Sequence, residues 1–240
     1  MRNPHFPKSL VVIRHGESVR NVLKGNATFF PDDAARKLAG SLPDEEVLLT
    51  AEGRRQPEAT GRELRMRFGV PDAVIHSGYR RALDTTDGIL AALGPQAQAV
   101  RVVQNELIRE RHAGFGYDMT EAEGRAAFPY LAEYWRVVGG FMAQPPGGES
   151  LIQVCARTRQ FLENFGPDMA NKTVYVVTHG GPIRCLRYLL EDWTLPQARS
   201  WGPDGPPENC GVTIYAKDSS DGLCLVSYNQ VYWRRSEQPA

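Results

Sequence analysis

Leu10-Val11-Val12-Ile13-Arg14-His15-Gly16-Glu17 is an apolar run that ends in an arginine, a histidine and a glycine. The apolar residues read as a buried strand. Its end delivers a guanidinium and an imidazole to the sheet edge where α/β folds bind ligands, and the glycine lets a bound group approach the backbone. A second run, Thr173-Val174-Tyr175-Val176-Val177, ends the same way at Thr178-His179-Gly180-Gly181. A polar strand end explains one such terminus. Two histidine-glycine termini point to one shared site.

Working outward, further strand-like runs lie near 73–77, 100–104, 212–216 and 223–228, beside 9–14 and 173–178. Helical patterns fall at 51–68, 81–93, 128–142, 150–165 and 182–191. This alternation predicts an α/β chain with a largely parallel sheet covered by helices on both faces. Lys217-Asp218-Ser219-Ser220-Asp221-Gly222 reads as a hairpin turn, so the last two strands form an antiparallel pair at the end of the sheet. Ser150 and Gln153 have capping-box spacing, and Leu151, Val154, Cys155, Thr158, Phe161, Leu162 and Phe165 follow one helix face. Residues 1–240 are expected to form a single domain, with lid-like insertions over the sheet's carboxyl edge at about 23–48 and 111–148. Tyr130, Tyr134, Val138 and Met142 have the i, i+4 spacing of a packed helix face.

The 28 basic and 28 acidic residues of this 240-residue chain cancel. No overall field therefore draws it to nucleic acid or to a membrane surface, and anion binding must come from local charge. The first residues lack the apolar core of a signal peptide, and no apolar run is long enough to span a bilayer. Cys155, Cys185, Cys210 and Cys224 form no C-x-x-C pair. Cys155, Cys185 and Cys224 fall in apolar patterns, which predicts buried free thiols and a cytoplasmic protein.

Five residues suit chemistry at a phosphate: Arg14, His15, Arg81, Glu110 and His179. Arg14 ends a predicted strand and the others follow one, so in a parallel sheet the four strand ends converge on one edge. Neutral imidazole is a good nucleophile near pH 7. Two arginines can bind phosphate oxygens through their planar forks, and the helix starting near Gly180-Gly181 offers backbone N–H groups to the same anion. Glu110 can pass a proton to a leaving oxygen and then take one from water. Taken singly, Arg81 also reads as a solvated helix start and Glu110, between two arginines, as an exposed salt-bridge member. A metal at His15 and His179 is disfavoured, because no carboxylate sits at ligand spacing and the arginines would repel a cation.

The chain resembles the histidine phosphatase superfamily, also called the phosphoglycerate mutase-like family. The resemblance runs through Arg14-His15-Gly16-Glu17-Ser18 with Asn21, Leu49-Thr50-Ala51-Glu52-Gly53 and Ser77-Gly78-Tyr79-Arg80-Arg81-Ala82. It continues through Glu110, Pro146-Gly147-Gly148-Glu149-Ser150 and Thr178-His179-Gly180-Gly181-Pro182-Ile183-Arg184. It implies a three-layer α/β/α sandwich with an antiparallel edge strand, and no metal or organic cofactor. It further implies His15 as the nucleophile that becomes phosphohistidine and Glu110 as the proton donor. Arg14, Arg81 and His179 then complete the phosphate pocket, with Asn21 and the Gly180 backbone lining it.

Within that resemblance the chain reads as an acid-type phosphatase acting on a small phosphomonoester. The alternatives are a cofactor-dependent phosphoglycerate mutase and a non-catalytic phospho-ligand binder. Glu110-Arg111-His112 resembles the mutase stretch, but Ala113-Gly114-Phe115 departs from it, and Trp135-Arg136-Val137 lacks an arginine pair. Between Ala113 and Glu149 the only basic residues are Arg125 and Arg136, too few cations for a mutase lid. The same region is rich in aromatics, which suits substrates with an apolar part. The tail Tyr232–Ala240 either folds over the site or is mobile, and the oligomeric state is left open.

Overall fold

The computed structural model describes residues 1–25, 27–202 and 204–234. Strands β1 (Ser9–Arg14), β2 (Ala73–His76), β3 (Arg101–Gln104), β4 (Thr173–Thr178), β5 (Val212–Lys217) and β6 (Leu223–Gln230) form a sheet of order β3-β2-β4-β1-β5-β6. β1, β2, β3 and β4 run parallel, and β5 runs against both of its neighbours. The expected hairpin is β5–β6, with Asp218 accepting from the N–H groups of Ser220 and Gly222 at the turn.

Helices α1 (Val19–Lys24), α2 (Asp33–Ala39), α3 (Ala51–Phe68) and α4 (Arg80–Leu93) occupy the first half. After them come α5 (Glu121–Ala127), α6 (Leu131–Val138), α7 (Leu151–Glu163), α8 (Gly180–Leu190) and α9 (Leu195–Arg199). The period-2 alternation of the central strands sorts side chains to two cores. Leu10, Val12, Val174 and Val176 pack with Phe161, Leu162, Ile183 and Leu186 of α7 and α8. Val11, Ile13, Tyr175 and Val177 pack with Leu64, Ile89 and Leu93 of α3 and α4. The result is the expected α/β/α sandwich. The Ser150–Gln153 capping box is present at the start of α7.

The two insertions join each other. Phe30 pairs with Thr120 as an isolated parallel bridge, its N–H donating to Met119 O at 2.9 Å. Arg36 meets Glu123 at 2.9 Å, and the Tyr117 hydroxyl donates to Leu42 O.

Four expectations need correction. The helix expected over 128–142 is instead the shorter α6, which starts after Pro129 and ends at Gly139 (φ 83°). Tyr130 is 82% exposed, and Tyr134 and Met142 are exposed as well; α6 buries Leu131 instead. Cys155, Cys185 and Cys210 are buried free thiols, but Cys224 is exposed, since β6 is an edge strand whose Cys224-Leu225-Val226 stretch is uncovered. Tyr232 is packed in the α3–α4 core, Trp233 donates to Asn209 O, and the exposed Arg234 meets Glu208. The rest of the predicted tail, 235–240, lies outside the described residues.

Candidate active site

Parallel pairing of β1 with β4 places Arg14 opposite Thr178, so the two histidines follow adjacent strands. The His15 N–H donates to Thr178 O at 2.9 Å, and the imidazole centroids lie 5.0 Å apart. The His15 ring nitrogen Nδ1 is 2.7 Å from Gly16 O. A carbonyl only accepts, so Nδ1 carries the proton and Nε2 keeps its lone pair. Burial, reinforced by the charges of Arg81 and Arg14, holds the His15 pKa well below the usual histidine value. The ring is therefore neutral at pH 7.

His179 is wholly buried behind the cavity wall, its pKa also pushed well below the usual value by burial and then by Arg81 and His15. Its Nε2 lies 2.7 Å from Ser77 Oγ, while Nδ1 has no partner. Ser77 follows β2, and Gly78 turns the chain there with φ 85°, where a Cβ would meet the Gln104 side chain at 2.7 Å.

Arg14 donates from Nη1 to Pro207 O at 2.6 Å and leaves Nε buried without a partner. Arg81, on the first turn of α4, is buried rather than solvated. Its Nη1 donates to Asp44 O at 2.5 Å and lies 3.1 Å from Asp44 Oδ1. Asn21 completes the α1 capping box, and its Oδ1 accepts from Asn209 Nδ2 at 3.1 Å. Asn209 Nδ2 also donates to His15 O at 3.0 Å.

Glu110 is not a surface salt-bridge member. Its Oε1 accepts from the N–H groups of Arg111 at 2.7 Å and Gly181 at 3.1 Å. The first turn of α8 therefore uses the Gly181 amide to hold this carboxylate, where the sequence suggested a phosphate contact; Gly180 lines the cavity. The Glu110 loop is fixed by Arg157 of α7, which donates to the carbonyls of Leu107, Arg109 and Glu110 and to Glu149.

Gly16 and Gly53 interlock β1 with the start of α3. A Cβ on Gly16 would meet Gly53 O at 2.3 Å, and one on Gly53 would meet Glu17 O at 1.9 Å. Glu17 accepts from Thr50 Oγ1 at 2.7 Å, so it braces this corner rather than reacting.

Arg14, His15, Asn21, Arg81, Glu110 and Gly180 line one cavity of about 690 Å³. The site thus gathers every residue the sequence singled out, His179 lying directly behind. Sequence reasoning missed Arg157, Asn209 and Trp201, and it gave Ser77, Asp44 and Arg184 no role of their own. Arg20, Lys24, Arg111 and Arg184 also line the cavity. The scarcity of cations therefore holds only for the stretch between Ala113 and Glu149, where Arg136 pairs with Glu133 and Arg125 with Glu121 on the surface. Burial and Arg20 lower the Lys24 pKa to about 8.

Among the described residues no helix is long and apolar enough to cross a membrane. Residues 10–230 match the family model described as histidine phosphatase superfamily (branch 1). A glucosyl-3-phosphoglycerate phosphatase of Mycobacterium tuberculosis is 30% identical over 235 residues, covering 95% of this chain and 92% of the relative. A 2,3-bisphosphoglycerate-dependent phosphoglycerate mutase 2 of Gloeobacter violaceus is 33% identical over 186 residues, 76% of this chain and 75% of the relative. Among solved structures, a mycobacterial glucosyl-3-phosphoglycerate phosphatase complexed with VO3 superposes with a TM-score of 0.65 at 26% identity. It covers 92% of this chain and 99% of the other.

Proposed function

The chain belongs to the histidine phosphatase superfamily, and from that premise we propose that it is a phosphomonoesterase acting on a small phosphorylated metabolite through a phosphohistidine on His15. One observation carries this reading: the Nδ1–Gly16 O bond presents Nε2 of a neutral ring as the nucleophile, between two arginines.

Arg14 and Arg81 bind the phosphoryl oxygens and offset charge in the transition state. Asn21 and the Gly180 backbone complete the pocket lining, and His179 backs it from behind His15. His15 Nε2 forms a bond to phosphorus as the bond to the leaving oxygen breaks, and Glu110 gives that oxygen its proton. In the second half, the Glu110 carboxylate takes a proton from water while the water oxygen bonds to phosphorus. The P–Nε2 bond then breaks and inorganic phosphate leaves.

The chain is read as one domain over 1–240, with 23–48 and 111–148 as the lid over the cavity. An adjoining groove of about 340 Å³, walled by Phe29, Phe128 and Leu131, shares Ala27, Thr28 and Trp135 with the main cavity and suits an apolar part of the leaving group. The free cysteines agree with a cytoplasmic setting.

Brief exposure to a ³²P-labelled phosphomonoester tests the mechanism. Acid-labile label is expected on the wild type and absent from His15→Ala; label retained by the variant removes His15 as nucleophile. With 3-phosphoglycerate and its bisphosphate primer, phosphate release is expected to exceed mutase turnover, and the reverse ratio would establish the mutase reading.

A further inference from the structure

The end of β1 is gripped by a short run that leads into β5, Pro207-Glu208-Asn209-Cys210-Gly211. Much of that grip is backbone. The Arg14 N–H donates to Gly211 O at 3.2 Å, and the Cys210 N–H donates to Arg14 O at 3.1 Å and His15 O at 3.3 Å. Cys210 takes a left-handed backbone (φ 51°), which a non-glycine residue keeps only where its surroundings over-determine it. The Trp233 ring N–H fixes the preceding residue by donating to Asn209 O at 2.9 Å.

The Asn209 side chain adds what the backbone does not. Its amide nitrogen donates to His15 O at 3.0 Å and to Asn21 Oδ1 at 3.1 Å. An amide nitrogen has two protons, so neither is left for a ligand. Two acceptors can face only the NH2 end, which sets how this amide is turned. Asn209 is also absent from the cavity wall, whereas Asn21 and His15 are both on it.

Asn21 has a spare donor. Its Oδ1 accepts from the Ser18 N–H and hydroxyl, each at 3.0 Å, as well as from Asn209. Its Nδ2 meets no acceptor among the described residues. The short helix α1 that carries Asn21 is otherwise tied to the two insertions. Val19 N–H donates to Leu48 O, Arg20 binds Tyr117 O and Asp118, and Lys24 binds Tyr117 O. Among the described residues Asn209 is therefore the polar tie between α1 and the strand end that carries His15.

We infer that Asn209 is a positioning residue, whose one nitrogen sets the spacing between Asn21 and His15 and so aims the spare Asn21 amide at the phosphoryl group. This rests on the phosphatase reading for the group that is bound, and adds to it a residue that touches no substrate.

A double-mutant cycle tests it, read as the Ki of inorganic phosphate against hydrolysis of 4-nitrophenyl phosphate. Asn209→Ala should raise Ki about fivefold. It should lower kcat by less than about twofold, because the Cys210 N–H still holds the His15 carbonyl. In an Asn21→Ala background the same substitution should change Ki by less than about twofold, since the amide it aims is gone. Asn209→Leu, close in volume but without a donor, should match Asn209→Ala, and it replaces that variant if circular dichroism shows the alanine form unfolded. Phosphate affinity restored by leucine would mean that the side chain only fills space.

Equal Ki factors in the two backgrounds, or a fall in kcat with Ki unchanged, overturn the positioning role and leave the phosphatase reading intact. A wild type that hydrolyses neither 4-nitrophenyl phosphate nor any other phosphomonoester overturns the phosphatase reading. The cycle is then read from the calorimetric Kd of inorganic phosphate. Equal factors in both backgrounds, or no measurable affinity in the wild type, overturn the positioning role there.

Discussion

Asp44 holds Arg81 through two oxygens, its carbonyl at 2.5 Å and its carboxylate at 3.1 Å from Arg81 Nη1. Asp44 lies in the segment that joins α2 to α3, so this segment places an acid on the guanidinium that the proposed mechanism assigns to the phosphoryl group. The carbonyl positions the arginine. The carboxylate opposes an incoming dianion.

Asp44→Asn keeps the carbonyl and removes the charge. Two like charges a few ångströms apart in a partly screened cleft cost on the order of 1 kcal/mol, about a fivefold change in affinity. The Ki of inorganic phosphate should fall by about that factor, with KM falling more than kcat. Weaker phosphate binding would show that the carboxylate's hold on Arg81 outweighs its repulsion.

Gly181→Ala tests the role of Glu110. Its Cβ would meet Glu110 Oε1 at 2.4 Å, in a helix that otherwise accepts alanine. Displacing a general acid costs about 10² to 10⁴ in rate. The loss should be large for an alkyl phosphate and small for 4-nitrophenyl phosphate, whose leaving group needs no proton. Equal losses on both would deny Glu110 the donor role.

Arg157→Met should destabilise the fold. The side chain joins Glu149 to three carbonyls around Glu110 and is 10% exposed. Breaking a largely buried pair and leaving acceptors unsatisfied costs roughly 3 kcal/mol. At about 2–4 °C per kcal/mol for a chain of this size, Tm should drop by roughly 6–12 °C. Thermal unfolding followed by circular dichroism measures it, and an unchanged Tm would remove the brace.

The strand ends that carry Arg14, His15 and His179 are legible in the sequence because apolar runs mark buried strands, and parallel pairing then sends their termini to one edge. Arg81 and Glu110 follow by the same logic. Arg157 is hidden because an arginine on the polar side of an amphipathic helix reads as solvated. Trp201, Pro207 and Asn209 lie in a stretch without hydrophobic period. Only the reversed strand β5, which begins beside the end of β1 with Val212 opposite Ile13, brings that stretch back to the site. The short reach of α6 within 128–142 is signalled by Pro129 and Gly139, against the apolar spacing that favours a longer helix.

His15 and His179 give the protein a specific acid sensitivity. Both folded pKa values lie well below the unfolded value near 6.5. Above pH 6.5 both states are neutral at these positions, so the pair adds no pH dependence there. Below it, the unfolded chain binds protons that the folded chain refuses, and stability falls as pH falls. Two such groups cost about 2.7 kcal/mol per pH unit once well below 6.5. Urea unfolding at pH 7.5 and 5.5 should show this loss, and His179→Asn should remove about half of it. Activity should behave differently: the nucleophile stays neutral through pH 6.5, so no fall in kcat/KM is expected there and the acid limb lies well below. A kcat/KM profile that instead titrates near 6.5 with a protonated, inactive form would mean that His15 keeps an ordinary pKa and that its burial between arginines does not tune it.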